Sequence, residues 1–345
     1  MLSKLFLSIF SEQKCYEILR NIRWPQGVCC PNCSGKDFIH EYDEAPKLQY
    51  RCKNCHQWWT DLSDTAFEGT KLPLKFWFYA WERYRLGAST QSVAEELEIH
   101  WLSAARMRRR LHDVVLEKQE QEPLEQTVEV DEMYVNAGAK GTPCEGEQEE
   151  EEESASSPET PENARENRDS EEPSGRSRGH KKRGRGTAKT GRPPVIGAAE
   201  RQSGKVRFEA RENATQETCH DFVHQHVASG ATVMTDEWRG YSGLDEEDYD
   251  HQTVAHGAGE YARQEGEEEV VHINTMEGWW SVIRPWLNTF RGLRQDRLPR
   301  YLAFIELVLN WKRRCVDGLN GLLQLVLDPD STWTSEFACA AVDSE

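Results

Sequence analysis

The chain has 345 residues, with 42 Lys or Arg against 60 Asp or Glu, a formal charge of -18 and a hydrophobic share of 37%. That length allows two or three folded units, and the apolar share excludes disorder throughout. No apolar run approaches the roughly 20 residues that span a bilayer as a helix, because the longest candidate, Phe304 to Trp311, is broken by Glu306 and Asn310.

In chain order, MLSKLFLSIF has the apolar texture of a signal core but lacks a small-residue cleavage site and runs into charged sequence. Residues 1–27 are therefore read as a helical leader of a cytoplasmic protein. Residues 28–66 hold Cys30-Pro-Asn-Cys33 and Cys52-Lys-Asn-Cys55, separated by eighteen residues. Each CxxC turn sets two thiolates on one side of a tight loop, and two such turns close a tetrahedral four-sulfur Zn²⁺ site, as in zinc ribbons. The other cysteines are scattered, which excludes a secreted disulfide framework. A ribbon this small has too little core to fold alone, so metal binding and folding should be coupled.

Residues 71–120 carry helical periodicity. Leu72 to Gly87 predicts a helix ended by glycine, Ser89 and Thr90 precede a short capped helix, and a further helix runs from about Trp101 to Val115. The last two are helix-turn-helix-like, and the second presents Arg106, Arg108, Arg109 and Arg110. Such residues suit phosphate or guanine contacts, or else form a solvated basic face.

From residue 127 the pattern changes to strands. TVEVDEMY alternates and delivers Asp131 near its end, while 193–199 and 205–211 read as two more strands. A helix over about 216–229 precedes ATVMTD, a strand ending on Asp236, and a late helix near Asn274 to Leu287 carries Glu277 and Arg284. Because side chains alternate along a strand, only one of Asp131 and Glu132 should face a given site. This order, with acids at the ends of the first and fourth strands and on the late helix, is the layout of a ribonuclease-H-like α/β core for nucleotidyl transfer. Such a core uses carboxylates to hold two Mg²⁺ ions beside the attacking and leaving oxygens. The final helix, about Leu298 to Arg314, has an apolar stripe suited to closing that core.

Low-complexity sequence interrupts this domain at 138–192. Residues 145–172 carry thirteen acids against two arginines, and 176–192 carry eight Lys or Arg with no acid. Such a stretch buries too little apolar area to offset ordering entropy, so it reads as a solvated insertion. Its basic half, with Lys181, Lys182 and Arg183, suits a phosphate backbone or is simply a polar tail. The rest of the chain remains strongly acidic, a surface that suits a high-salt cytoplasm or is merely an ordinary acidic one. Any nucleic-acid binding must come from local basic patches.

The CPNC and CKNC ribbon, DLSDTAFEGTKLPLKFWFYA, VDEMYV, KRGRGT, TDEWRGY and HINTMEGWWSVIR together resemble the zinc-ribbon insertion-sequence transposases of the ISXO-like group, relatives of the eukaryotic Merlin elements. The resemblance spans most of residues 10–312. It implies a DDE-type transposase that cuts and joins double-stranded DNA at terminal inverted repeats, with Mg²⁺ or Mn²⁺ at the catalytic site and Zn²⁺ in the ribbon. Asp131 and Asp236 match the first two metal ligands, Glu277 or Asn274 the third, and Arg284 the family's DNA-contacting basic residue. A homodimer or larger assembly on nucleoid DNA is implied, since two element ends must be paired. The acidic part of 144–175 departs from the short basic loop usual in this group. A transposase-derived, catalytically silent regulator is the alternative, against which all three acidic positions stand occupied.

The resulting architecture is multidomain α+β. It comprises a leader (1–27), a zinc ribbon (28–66), a helix-turn-helix-like reader (71–120), a ribonuclease-H-like domain (127–315) interrupted by the insertion, and a tail (316–345). Trp238, Tyr241, Trp279, Trp280 and Trp286 could stack on bases or pack in the core, and His272 could stand near the metals.

Overall fold

In a computed structural model, the described residues are 11–313, apart from 45, 120–121, 139–191, 247, 256–261, 266–268 and 291–292, together with residue 321. The first ten residues, nearly all of the insertion with Lys181, Lys182 and Arg183, and the tail lie outside them. No helix among the described residues is long and apolar enough to cross a membrane. The described residues divide into two compact units, one from those within 1–122, 203–206 and 300 onward, the other from those within 123–202 and 207–299.

The first unit opens with α1 (Glu12–Arg23), whose first turn Ser11 caps by accepting from the Lys14 N–H. A three-stranded antiparallel sheet follows, β1 (Phe38–Glu44), β2 (Lys47–Cys52) and β3 (Trp58–Thr60). Its small core is aromatic: Tyr50 stacks on Trp59 at 5.3 Å, with Phe38 edge-on to both. Asp61, fully buried, ties this sheet to α1. It receives both the Nε and Nη2 of Arg20 (2.9 and 2.8 Å), the Tyr50 hydroxyl (2.8 Å) and the Leu48 N–H (2.7 Å).

Three helices complete the unit's N-terminal part, α2 (Leu74–Arg85), α3 (Thr90–Glu96) and α4 (Trp101–Glu117). Pro73 provides no side-chain cap for α2, and the Glu12 carboxylate reaches across to accept the Leu74 and Lys75 N–H groups instead. Gly87 ends this helix region at φ +83°, a conformation that side-chain-bearing residues disfavour. Ser89 caps α3 and His100 caps α4. The last helix, α7 (Leu298–Arg313), was expected to close the later domain, yet from residue 300 it groups with this unit. The reason is aromatic: Phe304 stacks on the buried ring of His112 at 4.3 Å and meets Trp81 edge-on at 5.5 Å.

The second unit is a mixed sheet with a helix against each face. Its strands are β4 (Thr127–Tyr134), β5 (Pro194–Glu200), β6 (Val206–Ala210), β7 (Thr232–Asp236) and β8 (Asp250–Val254), in the order β6-β5-β4-β7-β8. β4 runs antiparallel to β5 and parallel to β7, and β8 is parallel to β7. β5 is buried along its whole length, consistent with its VIGAA interior between two helix layers. Helix α5 (Gln216–His226) supplies Cys219, Phe222 and Val223 to a core with Val128, Val130, Ile196 and Val233. On the opposite face lies α6 (Asn274–Asn288), entered through the antiparallel pair β9 (Arg263–Glu265) and β10 (Glu269–Val271). β8 and the β9–β10 pair have no counterpart in the sequence reading, because DHQTV is polar and the two late strands are three residues each.

Candidate functional site

The ribbon's four cysteines meet as their spacing predicts. Cys30 and Cys55 sulfurs lie 3.5 Å apart, those of Cys33 and Cys52 3.6 Å apart, and all four fall within 4.8 Å of one another. Two tight turns deliver them: the Ser34 N–H bonds the Cys30 carbonyl, and the His56 N–H bonds that of Cys52. Ser34 and His56 both adopt positive φ, at 56° and 61°, so the two knuckles share one backbone shape. A closed four-thiolate set of this kind is the donor arrangement of structural Zn²⁺. Neither Cys29 nor His56 belongs to it.

The acids assemble at one end of the second unit's sheet. On β4, Glu129, Asp131 and Met133 turn toward α6, where they meet Thr275 and Met276, Trp280 and Arg284. Val128 and Val130 turn to the α5 side, where Glu132 receives the Tyr241 hydroxyl at 3.2 Å. Asp131 and Glu132 thus hydrogen-bond on opposite faces, as alternation requires. They still share one field. Burial, then Asp236 and Glu277, push the Asp131 carboxyl up to about 6 against the pull of the Trp280 bond. Burial, then Asp131 and Asp236, push Glu132 to about 7. Carboxylates crowded together raise one another's affinity for a proton.

Asp236 ends β7, its Oδ1 accepting the Trp238 N–H at 2.9 Å. The parallel β4–β7 register runs as far as Glu129 and Met234, two residues before Asp131 and Asp236. Asp131 itself lies inside β4, which runs on to Tyr134 and so, unlike β7, does not end on its acid. Asn274 opens α6, Glu277 follows three residues later on the same face, and both are exposed. Among the described residues the four cysteines alone form a group of three or more side chains that could hold a metal ion. Exposed Arg284 bonds the Met133 sulfur from its Nε at 3.4 Å.

Trp280 is one of the five aromatics whose role the pattern left open between stacking and packing, and it packs while also holding an acid. Its ring is buried against Phe208 at 5.6 Å and over Gly197, the β5 partner of Asp131, and its Nε1 donates to Asp131 Oδ2 at 2.8 Å. A Cβ on Gly197 would stand 2.5 Å from that ring, so glycine is what admits it. Tyr241 is fully buried and Trp238 exposed. His272 touches Glu129 instead of the paired aspartates, at 3.1 Å.

The four arginines of α4 separate by helical spacing. Arg106 and Arg109 are exposed, Arg108 lies over the Tyr301 ring at 5.3 Å, and Arg110 donates to the Glu68 carbonyl at 2.7 Å. Exposed Trp101 and Leu102 share the open end of this helix. Glu129 and Arg201 also belong to the surroundings of the acids, and neither stands in a recognisable sequence motif of its own. The available signal was a charged residue among valines at the same two-residue period as Asp131.

This arrangement, a thiolate knuckle followed by a mixed sheet that gathers acids, has relatives among mobile elements. A model of the transposase zinc-ribbon domain matches residues 10–57, and one of the ISXO2-like transposase domain matches 167–307. The chain is 32% identical over 299 residues to an uncharacterized protein in transposable element ISH50 from Halobacterium salinarum, covering 86% of this chain and 90% of that one. No solved structure matches. The chain therefore belongs to the ISXO2-like transposases, enzymes that cleave and transfer DNA. Asp236, Asn274, Glu277 and Arg284 lie inside the matched transposase domain, and Asp131 precedes it.

Proposed function

We propose that this transposase is of the DDE type, with Asp131, Asp236 and Glu277 as ligands for two Mg²⁺ or Mn²⁺ ions and Asn274 as the alternative third ligand. The observation that carries this reading is convergence: β7, which ends on Asp236, runs parallel beside β4, and Trp280, on the helix that carries Glu277, donates to Asp131. After burial, Asp236 and Glu277 add to the proton affinity of Asp131. Mutually repelling carboxylates are a donor set that hard divalent cations suit. Bound there, the ions would stabilise charge on the attacking and leaving oxygens. The three consecutive strands side by side, followed by a helix and a strand parallel to the first, support a ribonuclease-H-like reading of the second unit.

In this reading water attacks a phosphodiester at the element end and frees a 3′-hydroxyl. That hydroxyl attacks a target phosphate, so one phosphorus–oxygen bond forms as another breaks, without a covalent link to protein. Trp280 orients the Asp131 carboxylate by its Nε1 bond. Arg106 and Arg109, the basic run with Lys181, Lys182 and Arg183, and Arg284 bind terminal repeats and target, with at least two protomers pairing the ends. Source and charge agree on environment: the ISH50 relative comes from a halophilic archaeon, and the -18 charge of this chain suits a high-salt nucleoid.

The test is cleavage and strand transfer on matched element ends with Mg²⁺ or Mn²⁺. Asp131→Asn and Asp236→Asn should each lose product by about a thousandfold, roughly 4 kcal/mol of barrier, with DNA binding retained. Wild-type rates in either variant would refute the assignment, and an inactive parent chain with intact DNA binding would favour the regulator.

A further inference from the structure

Glu129 is a carboxylate in the interior of a strand with no solvent exposure at all. Burying such a charge costs several kcal/mol unless donors surround it. Four do. Its Oε2 accepts the backbone N–H groups of Thr275 (2.8 Å) and Met276 (3.1 Å), and its Oε1 accepts the Thr275 hydroxyl (2.9 Å) and the Arg201 Nε (2.6 Å). Arg201 extends the clamp by donating to the carbonyls of Val270 (2.8 Å) and His272 (2.7 Å), on the segment that leads into α6.

All of these contacts converge on the start of one helix. Ile273, at the N-cap of α6, has no side chain able to satisfy the first-turn N–H groups. His272 Nδ1 accepts the Asn274 N–H at 3.3 Å, and Glu129 supplies the acceptor for the next two N–H groups together with a negative charge at the positive end of the helix dipole. Asn274 and Glu277 stand in that same first turn. The side chain that decides where they begin therefore comes from the strand that carries Asp131, two residues earlier. Trp280 closes the loop in the other direction, from α6 back to Asp131.

We propose that Glu129, clamped by Arg201, is a positioning residue of the nucleotidyl-transfer site, setting the placement of Asn274 and Glu277 relative to Asp131. This rests on the reading of those acids as metal ligands. Glu129 touches no reacting atom; it acts through the first turn of α6. Glutamine in its place would offer one carbonyl oxygen where four donors need two, and its amide would oppose Arg201.

The experiment uses the full, zinc-loaded chain and follows Mn²⁺ binding directly by electron paramagnetic resonance, alongside the Mn²⁺ dependence of end cleavage. Glu129→Gln should weaken Mn²⁺ binding about tenfold or more, with cleavage partly regained at saturating Mn²⁺ and zinc content unchanged. Glu306→Gln, which alters another fully buried glutamate, bonded to Gln119 in the first unit, controls for lost stability and should leave Mn²⁺ affinity as it was. Should Glu129→Gln not fold, Thr275→Val removes one donor and should weaken Mn²⁺ binding about two- to tenfold, the size of one net hydrogen bond. Parental Mn²⁺ affinity in Glu129→Gln, or in Thr275→Val if that is the variant that folds, overturns the proposal, as does an equal loss in Glu306→Gln. A parent whose Mn²⁺ binding is indifferent to Asp131→Asn sinks the metal-ligand reading itself; binding lost with Asp131→Asn but kept in Glu129→Gln sinks the positioning role alone.

Discussion

The ribbon's cysteines and the acids proposed as metal ligands are built in opposite ways. In the ribbon, each pair of sulfurs is delivered by a four-residue turn with the same backbone shape, and all four stand within 4.8 Å. The acids come from β4, β7 and α6, whose order in the fold owes nothing to closeness in the chain. Burial first, and then the neighbouring carboxylates, raise the affinity of Asp131 for a proton. The ribbon is therefore a local device stapled to its surroundings, and the acid cluster is a tertiary one that needs scaffolding residues such as Trp280.

If that contrast is right, perturbations should separate the two regions. The largest effect is expected from removing zinc: chelation, or Cys30→Ser, should unfold residues 28–60, since structural zinc contributes on the order of 10 kcal/mol to such modules. Far-ultraviolet signal and proteolysis of the ribbon should change while the second unit's strands keep their hydrogen-exchange protection. Loss of that protection would show the ribbon to be no local device.

Asp61→Asn should cost about 3–5 kcal/mol, because it leaves Arg20 without its buried bidentate partner. Thermal melting with zinc bound measures it, and a loss below about 1 kcal/mol would mean that zinc holds the ribbon without help from α1.

In the second unit, Gly197→Ala should destabilise by about 1–3 kcal/mol through overpacking against Trp280. It should also slow cleavage, because the displaced ring carries the Asp131 bond. Unfolding midpoints and single-turnover rates, measured on the same preparations, check both halves; full activity would sever the acid site from its scaffold.

The smallest effect falls on the arginines of α4. Arg106→Ala and Arg109→Ala should each lower the slope of log affinity for DNA against log salt by about 1. Arg108→Ala should change it less, since its guanidinium lies on Tyr301. Equal slopes for all three would assign DNA contact elsewhere.

Legibility in the sequence follows the same divide. The CxxC knuckles, the Ser89 cap, the Gly87 stop and the alternation of β4 are properties of a few adjacent residues, and the structure has each of them. β8 was illegible because its DHQTV segment lacks an apolar face, and its place at the sheet edge comes from pairing with β7. The two remote caps, Glu12 on α2 and Glu129 on α6, were equally hidden. Each brings a carboxylate distant in sequence to first-turn N–H groups that Pro73 and Ile273 cannot cap, beside His272, which takes only the Asn274 N–H.

What this sequence determined by itself is the chemistry on offer and its local geometry: four thiols on two turns, an acid at the end of β7 and others along β4, and a basic helix. Such features depend on backbone preferences and side-chain spacing over a few residues. Which acid meets which partner, which arginines stay free of the protein surface and which unit claims α7 were decided by packing. Those outcomes depend on burial and pairing between segments up to about two hundred residues apart, as with Trp81 and Phe304, where no local preference reaches.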